Sequence, residues 1–61
     1  MFKIGDLVRG KQTGRIGIVI KDKGFIRVTV FWFNKNGPGG HKVVEFTNYL
    51  ENLSEKGDVN V

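Results

Sequence analysis

The chain has 61 residues and a net charge of +4, and 39% of its residues are hydrophobic. A chain of this length forms one small domain that buries only about 60% of its unfolded surface, and its lack of cysteine excludes a disulfide or a thiolate–zinc staple. This composition fits the reducing cytoplasm, where we expect the protein, and no apolar run approaches the ~20 residues of a membrane span, so we expect no membrane attachment.

The first two predicted strands are joined by a glycine-containing loop. Asp6–Arg9 forms a short first strand, and the polar loop Gly10–Gly14 (GKQTG) follows it. Arg15–Lys21 (RIGIVIK) carries three alternating isoleucines but also Val19, so both faces of this strand are expected to be partly buried. Gly17 inside it indicates a bend, a bulge or a close backbone approach.

The third predicted strand, Phe25–Phe33, shows the clearest alternation in the chain. One of its faces is wholly apolar and is expected to face the core. The opposite face begins with polar residues and ends with Phe31 and Phe33. Residues 22–24 (DKG) form a tight turn before this strand, in which Gly24 takes a positive φ.

The rest of the domain is predicted to contain a loop, a fourth strand, one 3₁₀ turn and a short fifth strand, in that order: residues 34–41, Lys42–Phe46, 47–49 and Leu50–Leu53. The domain spans residues 1–55, and residues 56–61 form a flexible tail. Five short strands with a 3₁₀ turn before the last are typical of an SH3-like barrel, which removes exposed edges by closing the sheet. The sequence therefore predicts an all-β fold, a small five-stranded SH3-like barrel.

The core of so small a domain must be assembled from few side chains. Thirteen apolar residues are the candidates: Ile4, Val8, Ile16, Ile18, Val19, Ile20, Ile26, Val28, Val30, Trp32, Val44, Phe46 and Leu50.

Charge is distributed unevenly along the chain. Residues 1–44 contain nine Lys or Arg against two acids, a local charge of +7, whereas residues 45–61 contain four acids against one Lys, a local charge of −3. Such asymmetry indicates a basic face for a polyanion. The alternative is that the cations keep a small β protein soluble and protect its strand edges.

A resemblance to a known motif lies in the first half of the chain. The run GDLV at residues 5–8, followed by Gly14-x-x-Gly17-x-Val19 and an alternating strand, resembles the KOW motif. That motif is an SH3-like segment of ribosomal proteins and transcription elongation factors. The resemblance implies that loops at one end of the barrel contact RNA or the transcription machinery.

A second resemblance covers nearly the whole chain. Short phage and bacterial SH3-like proteins of unassigned function are similar in their aromatic-rich third strand, here with Trp32, and in a closing L-E-x-L, here residues 50–53. The type II dihydrofolate reductases are SH3-like chains of similar size that use a Val-Gln-Ile-Tyr segment on a late strand. Residues 43–46 (VVEF) occupy the matching place and lack both the Gln and the Tyr.

Eight side chains are the candidate nucleic-acid-binding residues: Arg9, Lys11, Arg15, Lys21, Lys23, Arg27, Phe31 and Phe33. The cations would neutralise phosphates and release counterions, and the two phenyl rings would stack unpaired bases. The KOW resemblance favours Lys11 and Arg15, which flank the matching Gly14.

The aromatic pair Phe31 and Phe33 has other interpretations. It would equally bind a Pro-rich peptide or an added strand of a protein partner, or be buried in a symmetric dimer. It would also simply extend the core if Phe2, Tyr49 or the loop at residues 34–41 covered it.

No catalytic constellation is evident. His41 has no second His or Cys with which to hold a metal, no nucleophile–base pair is apparent, and the glycine-rich loop lacks the Lys-Ser or Lys-Thr of a phosphate-binding loop. We expect no enzyme, no metal and no cofactor. The sequence predicts a non-catalytic module, monomeric or weakly dimeric, that binds RNA or DNA, alone or in a ribonucleoprotein. The alternative is a small protein-interaction adaptor or inhibitor, of a kind that phages encode, that engages a larger host or self protein through its aromatic strand face.

Overall fold

A computed structural model describes residues 2–24, 26–34 and 39–54, which form an all-β fold. Five strands and one 3₁₀ turn (η1) follow one another along the chain: β1 Leu7–Gly10, β2 Ile16–Asp22, β3 Arg27–Phe33, β4 Gly40–Phe46, η1 Thr47–Tyr49 and β5 Leu50–Asn52. The predicted all-β class, the five strands and the 3₁₀ turn before the last are confirmed. The expected tail at residues 56–61 lies outside the described residues.

The strands form one antiparallel sheet in the order β4-β3-β2-β1-β5. The outer strands of a flat five-stranded sheet would lie about 19 Å apart, at about 4.8 Å per strand. Here only η1, Thr47–Tyr49, joins the end of β4 to the start of β5, so the sheet must curl to bring its two edges towards each other. The closed sheet of a barrel is not found, because no pairing joins β4 to β5 among the described residues.

The concave side of the curled sheet, here called the inner face, holds the core. Six buried apolar side chains form it: Val8, Val19, Val28, Val30, Trp32 and Leu50. Phe2, ahead of β1, packs against this cluster and is half-buried. The convex side, here called the outer face, carries Leu7, Ile18 and Phe31 in one cross-strand row.

Six of the thirteen predicted core residues are exposed: Ile4, Ile16, Ile20, Ile26, Val44 and Phe46. Ile4 and Ile26 precede strands. Ile16 lies on the outer face beside Arg9, and Val44 lies there beside Thr29. Because β4 is an edge strand, its apolar side chains are covered from one side only.

β2 faces the core with its other set of residues, not with its three isoleucines. Gly17 and Val19 are buried, whereas Ile18 is half-buried. A Cβ at Gly17 would lie 2.7 Å from the Phe31 carbonyl oxygen and 2.9 Å from Cε3 of Trp32. The predicted close backbone approach at Gly17 is confirmed, and the glycine makes room for the indole.

The bulge in β2 lies beyond Gly17. The register with β3 shifts between Val19 and Lys21, so that Val19 pairs with Val30 and Lys21 with Thr29. Such a bulge inserts one extra residue, here Ile20, and reverses the alternation after it. Lys21 therefore lies on the outer face, whereas strict alternation from Val19 would turn it inward.

The positive φ predicted for Gly24 is confirmed, but the predicted bounds of the turn, residues 22–24, are wrong, because Asp22 belongs to β2 and β3 begins only at Arg27. Gly24 has φ 85°, and its N–H donates to Oδ1 of Asp22 at 2.8 Å. The Lys23 N–H donates to the Arg27 carbonyl at 3.2 Å and closes the turn. These hydrogen bonds therefore fix the register in which β2 and β3 pair.

The segment before β1 is fastened to the sheet through Asp6. Oδ2 of Asp6 accepts hydrogen bonds from the Lys3 N–H and from the Asn52 side-chain amide, both at 2.9 Å. The backbone N–H of Lys3 lowers the pKa of Asp6 below its usual 3.8 most strongly, burial opposes that shift, and the Asn52 amide supports it. The carboxylate thus ties the N-terminal segment to β5.

Within the described residues, no helix has the length and apolar character needed to cross a membrane.

Candidate functional site

The predicted basic residues lie in two groups at opposite ends of β2. Lys11 and Arg15 belong to the connection before β2, whereas Lys21 and Lys23 lie at its far end. The six steps along the strand from Arg15 to Lys21 span about 20 Å at ~3.4 Å per residue. We call the first end, with residues 10–15 and the end of β3, the loop end, and the second the turn end. The two sets of cations do not form one cluster.

A shallow pocket lies at the loop end of the outer face. It has a volume of about 190 Å³ and is lined by Thr13, Gly14, Arg15, Ile16, Phe33 and Asn34. Its loop wall is shaped by the backbone: Gly14 has φ 75° and donates its N–H to the Gly10 carbonyl at 2.8 Å. Thr13 Oγ1 accepts the Arg15 N–H at 3.2 Å. Arg15 and Phe33, a cationic and an aromatic residue, therefore both line this pocket.

The phenyl rings of Phe31 and Phe33 contact each other edge to face, with centroids 6.0 Å apart. Phe33 is 41% exposed and Phe31 is half-buried. A Cβ at Gly40 would lie 2.8 Å from Cζ of Phe31, so the Phe31 ring lies over a glycine of the neighbouring strand. Phe31 thus packs between Gly40 and Phe33 and supports the Phe33 ring, which is the more accessible of the two.

The side chains expected to cover the aromatic pair have other contacts. Phe2 packs against the core cluster. Tyr49 meets Phe46 edge to face, with centroids 6.4 Å apart. Residues 35–38 of the predicted loop lie outside the described residues.

Arg9 forms an ion pair with Glu51. It lies opposite Glu51 on β5, and its Nε donates to Oε1 of Glu51 at 3.0 Å, with a second contact from Nη2 to the same oxygen. An arginine held in this way is a poorer phosphate ligand, because its charge is already matched. In the part of the chain that the structure describes, ion pairing does not involve Lys11 or Arg15.

Lys42 is a neighbour of the aromatic pair that the sequence pattern does not single out. It lies opposite Phe31 in the β3–β4 register, on the outer face. Lys42 and Phe31 are neighbours because of the way β4 pairs with β3. This register cannot be read from the sequence, because the glycine-rich connection between the two strands does not specify it. Lys42 adds a cation on the far side of Phe31 from Ile18.

At the turn end, the outer-face row of Lys21 continues with Thr29 and Val44, so among the described residues this row contains no aromatic side chain. Lys21 lies between Ile18 and the turn and opposite Thr29, and Arg27 lies opposite Phe46 of the edge strand. Asp22 adds a carboxylate next to these cations. This end therefore combines three cations with one acid.

A second pocket, of about 300 Å³, lies on the other side of the loop end. Its lining includes Lys11, Trp32, Glu45 and Tyr49. The Trp32 indole N–H donates to Oε2 of Glu45 at 3.0 Å, and the Lys11 N–H donates to the Tyr49 carbonyl at 2.9 Å. The Glu45 carboxylate makes this pocket unsuited to a phosphate, so the pocket with Arg15 is the better anion site.

Comparisons of the chain with protein-family models, with curated proteins and with solved structures gave no significant match.

Proposed function

We propose that this chain is a non-catalytic, cytoplasmic binding module for single-stranded nucleic acid, alone or within a ribonucleoprotein. The observation that carries the proposal is the shared pocket of Arg15 and Phe33 at the loop end. A flat, accessible ring beside a guanidinium offers the two contacts that every nucleotide satisfies, a base face and a phosphate.

The chemistry favours a single strand over a duplex. Stacking requires a base whose face is free, and in a duplex both faces are covered by neighbouring base pairs. Phe33 accepts the base, Phe31 holds Phe33 in place, and positive charge comes from Arg15 in the same pocket and from Lys42 opposite Phe31. Lys11 lies at the same end of the sheet but lines the other pocket, so it would add charge from farther away. The turn-end cations Lys21, Lys23 and Arg27 would contact the backbone farther along the strand.

The resemblance to the KOW motif supports the same proposal, with an SH3-like fold. The strand order with β5 beside β1 and the 3₁₀ turn before β5 agree with that fold. Gly14, which matches the motif, forms the pocket wall next to Arg15.

Titration of the ¹⁵N-labelled protein with single-stranded RNA of mixed sequence tests the proposal. Chemical-shift changes should concentrate at residues 11–16, 31–34 and 42, and should weaken as salt is raised, because phosphate contacts release counterions. Changes restricted to the turn end would reject the loop-end site. Single-stranded DNA in a parallel titration distinguishes the two nucleic acids.

The outer face favours a second candidate, a protein-interaction adaptor or inhibitor. Leu7, Ile18 and Phe31 form a continuous apolar row across three strands, and Leu7 is 41% exposed. Buried apolar and aromatic anchors carry most of the energy of a protein interface. Leu7→Glu separates the two functions, because it removes the row's end without touching the pocket: RNA binding should persist, whereas binding of a protein partner should fail.

A further inference from the structure

The outer edge of β4 has the features of a pairing surface. β4 ends the sheet on one side, and every residue from Gly40 to Phe46 is exposed or half-buried. Among residues 2–24, 26–34 and 39–54, no strand pairs with this edge. A long edge with apolar side chains is a template for pairing with another strand.

Two hydrogen bonds that flank the β3–β4 ladder show which backbone groups face outward. The Thr47 N–H donates to the Ile26 carbonyl at 2.8 Å, and the Asn34 N–H donates to the Gly39 carbonyl at 3.3 Å. Both pairs continue the register in which Val30 lies opposite Val43. Because hydrogen-bonded and non-hydrogen-bonded pairs alternate along an antiparallel ladder, His41, Val43 and Glu45 direct their backbone groups towards β3. Lys42 and Val44 direct theirs to the free edge.

We propose that two copies of this chain pair antiparallel through β4, about a two-fold axis at Val43. In that register Lys42 lies opposite Val44 of the second copy, and the outward backbone groups of these residues meet. His41 lies opposite Glu45 of the second copy, in a non-hydrogen-bonded pair, where side chains are closest. Glu45 accepts the Trp32 indole N–H through Oε2, so Oε1 is the atom that would accept the imidazole N–H of the second copy, and this contact would form twice, once on each side of the axis.

Charge selects this register over its neighbours. A two-fold axis perpendicular to the sheet leaves each side chain on the same face in both copies. The axis must then pass beside one residue, which lies opposite its own equivalent in the second copy, so the alternative registers have the axis at Lys42 or at Val44. An axis at Lys42 would oppose two lysines, which is destabilising. An axis at Val44 would place the half-buried Glu45 carboxylate opposite Val43, whereas the Val43 axis places a charged side chain opposite a valine only at Lys42, which is exposed and extends its ammonium group into water. The axis at Val43 opposes two valines and places a His41 imidazole opposite each Glu45 carboxylate.

The second copy fits this edge better than β5 does. β5 contains three residues, Leu50–Asn52, so head-to-tail pairing of β4 with β5 would form a short ladder. The β4 pairing would join two sheets into one of ten strands with both outer faces on the same side. It does not depend on the pocket of Arg15 and Phe33, because none of the residues that line that pocket lies on β4; of the proposed nucleic-acid site, Lys42 alone belongs to β4.

Sedimentation equilibrium of the full chain over a wide concentration range tests the pairing. We expect a reversible monomer–dimer equilibrium. Val43→Lys places two like charges at the axis and should raise the dissociation constant at least about tenfold. Ile20→Lys is the matched control, since Ile20 and Val43 are each 39% exposed but Ile20 lies in β2, between β1 and β3, and it should leave the equilibrium unchanged.

His41 provides a second pair of variants in case Val43→Lys perturbs the fold. His41→Glu, opposite Glu45 of the second copy, should weaken the dimer, and His41→Lys should preserve or strengthen it. A chain that stays monomeric throughout, an equal effect of Val43→Lys and Ile20→Lys, an equal effect of the two His41 variants, or assemblies larger than a dimer would each overturn the proposal.

Discussion

Phe31 and Phe33 lie two residues apart on the outer face of β3, with ring centroids 6.0 Å apart and planes at 65°. This edge-to-face contact is one of the geometries that aromatic pairs prefer. Gly40 leaves the space that the Phe31 ring occupies, so Phe31 is held between a glycine and a second ring. Phe33 therefore offers a pre-oriented surface beside Arg15, and base stacking on it would cost little side-chain entropy.

Phe33→Ala should weaken binding of single-stranded RNA by about 1–3 kcal/mol, the usual loss for one stacked base. Because Phe33 is 41% exposed and packs against the Phe31 ring, the free energy of unfolding should fall by about 1 kcal/mol. Fluorescence anisotropy with labelled RNA measures the first quantity, and urea denaturation the second. Tyr49→Ala, an exposed ring outside the pocket, is the control and should bind as wild type; equal losses for both variants would show that no stacking site exists at Phe33.

The two basic groups should contribute unequally to binding. Lys11→Gln with Arg15→Gln removes two loop-end cations, and the slope of log K against log salt should flatten by about 0.7 for each phosphate that is no longer neutralised. Lys21→Gln with Lys23→Gln removes the same charge at the turn end and should reduce affinity less. Binding isotherms at several salt concentrations give both slopes. A larger loss of affinity from the turn-end pair would show that the site lies at the other end of the sheet.

Gly17→Ala should destabilise the fold by about 1–3 kcal/mol, the usual cost of overpacking a filled core. The added methyl would lie 2.7 Å from the Phe31 carbonyl oxygen and from Cγ1 of Val30, and neither the backbone nor the buried valine has room to move. Urea denaturation measures the loss. Gly14→Ala is an informative comparison, since a Cβ there meets nothing within 4 Å and only its φ of 75° opposes it.

Asp6 should contribute to the loss of stability in acid. Its pKa is lowered in the folded chain, first by the Lys3 N–H and also by Asn52, so the folded state binds a proton less readily than the unfolded state. The stabilisation is then complete above the usual value of 3.8 and is lost as pH falls through the lower folded pKa. Asp6→Asn should lower the unfolding free energy near neutral pH and make its acid dependence shallower; a wild-type pH profile in that variant would show that Asp6 has no part in the acid sensitivity.

The order of the elements was predictable because strong local signals mark it. The alternation through β3 and the DKG turn each specify their conformation within a few residues, and Gly24 has the positive φ that the turn requires. The 3₁₀ turn at residues 47–49 follows from the short connection between two apolar runs. These features depend on neighbours in the chain.

The faces of β2 were not predictable by the same means. Its core-facing set contains Gly17, which has no apolar side chain and therefore gives no sign of facing the core. A glycine is needed there because Trp32 of the next strand fills the space in front of it. The extra residue at Ile20 then reverses the alternation, and no glycine marks that bulge. Because Ile16 and Ile18 lie on the outer face, the alternation of apolar residues predicts the wrong face of β2 as the core-facing one.

The sequence allowed the candidate binding residues to be chosen, but it did not show which of them lie close together in the fold. Lys11 and Lys23 both lie in basic turns, and the sequence does not show that β2 separates them by its full length. Arg9 lies opposite Glu51, a residue 42 positions away in the chain, and Lys42 reaches Phe31 only through the β3–β4 register. Long-range pairing determines which cations surround the ring.

The most direct test of the central claim is a ¹⁵N-HSQC titration with single-stranded RNA, performed in parallel on the wild type and on Phe33→Ala at low and moderate salt. We predict salt-sensitive shift changes centred on Arg15, Ile16, Phe33 and Asn34 in the wild type, and their loss or marked reduction in the variant. Absence of shift changes at low salt, or identical changes in the two proteins, would contradict the proposal that this pocket binds a nucleotide.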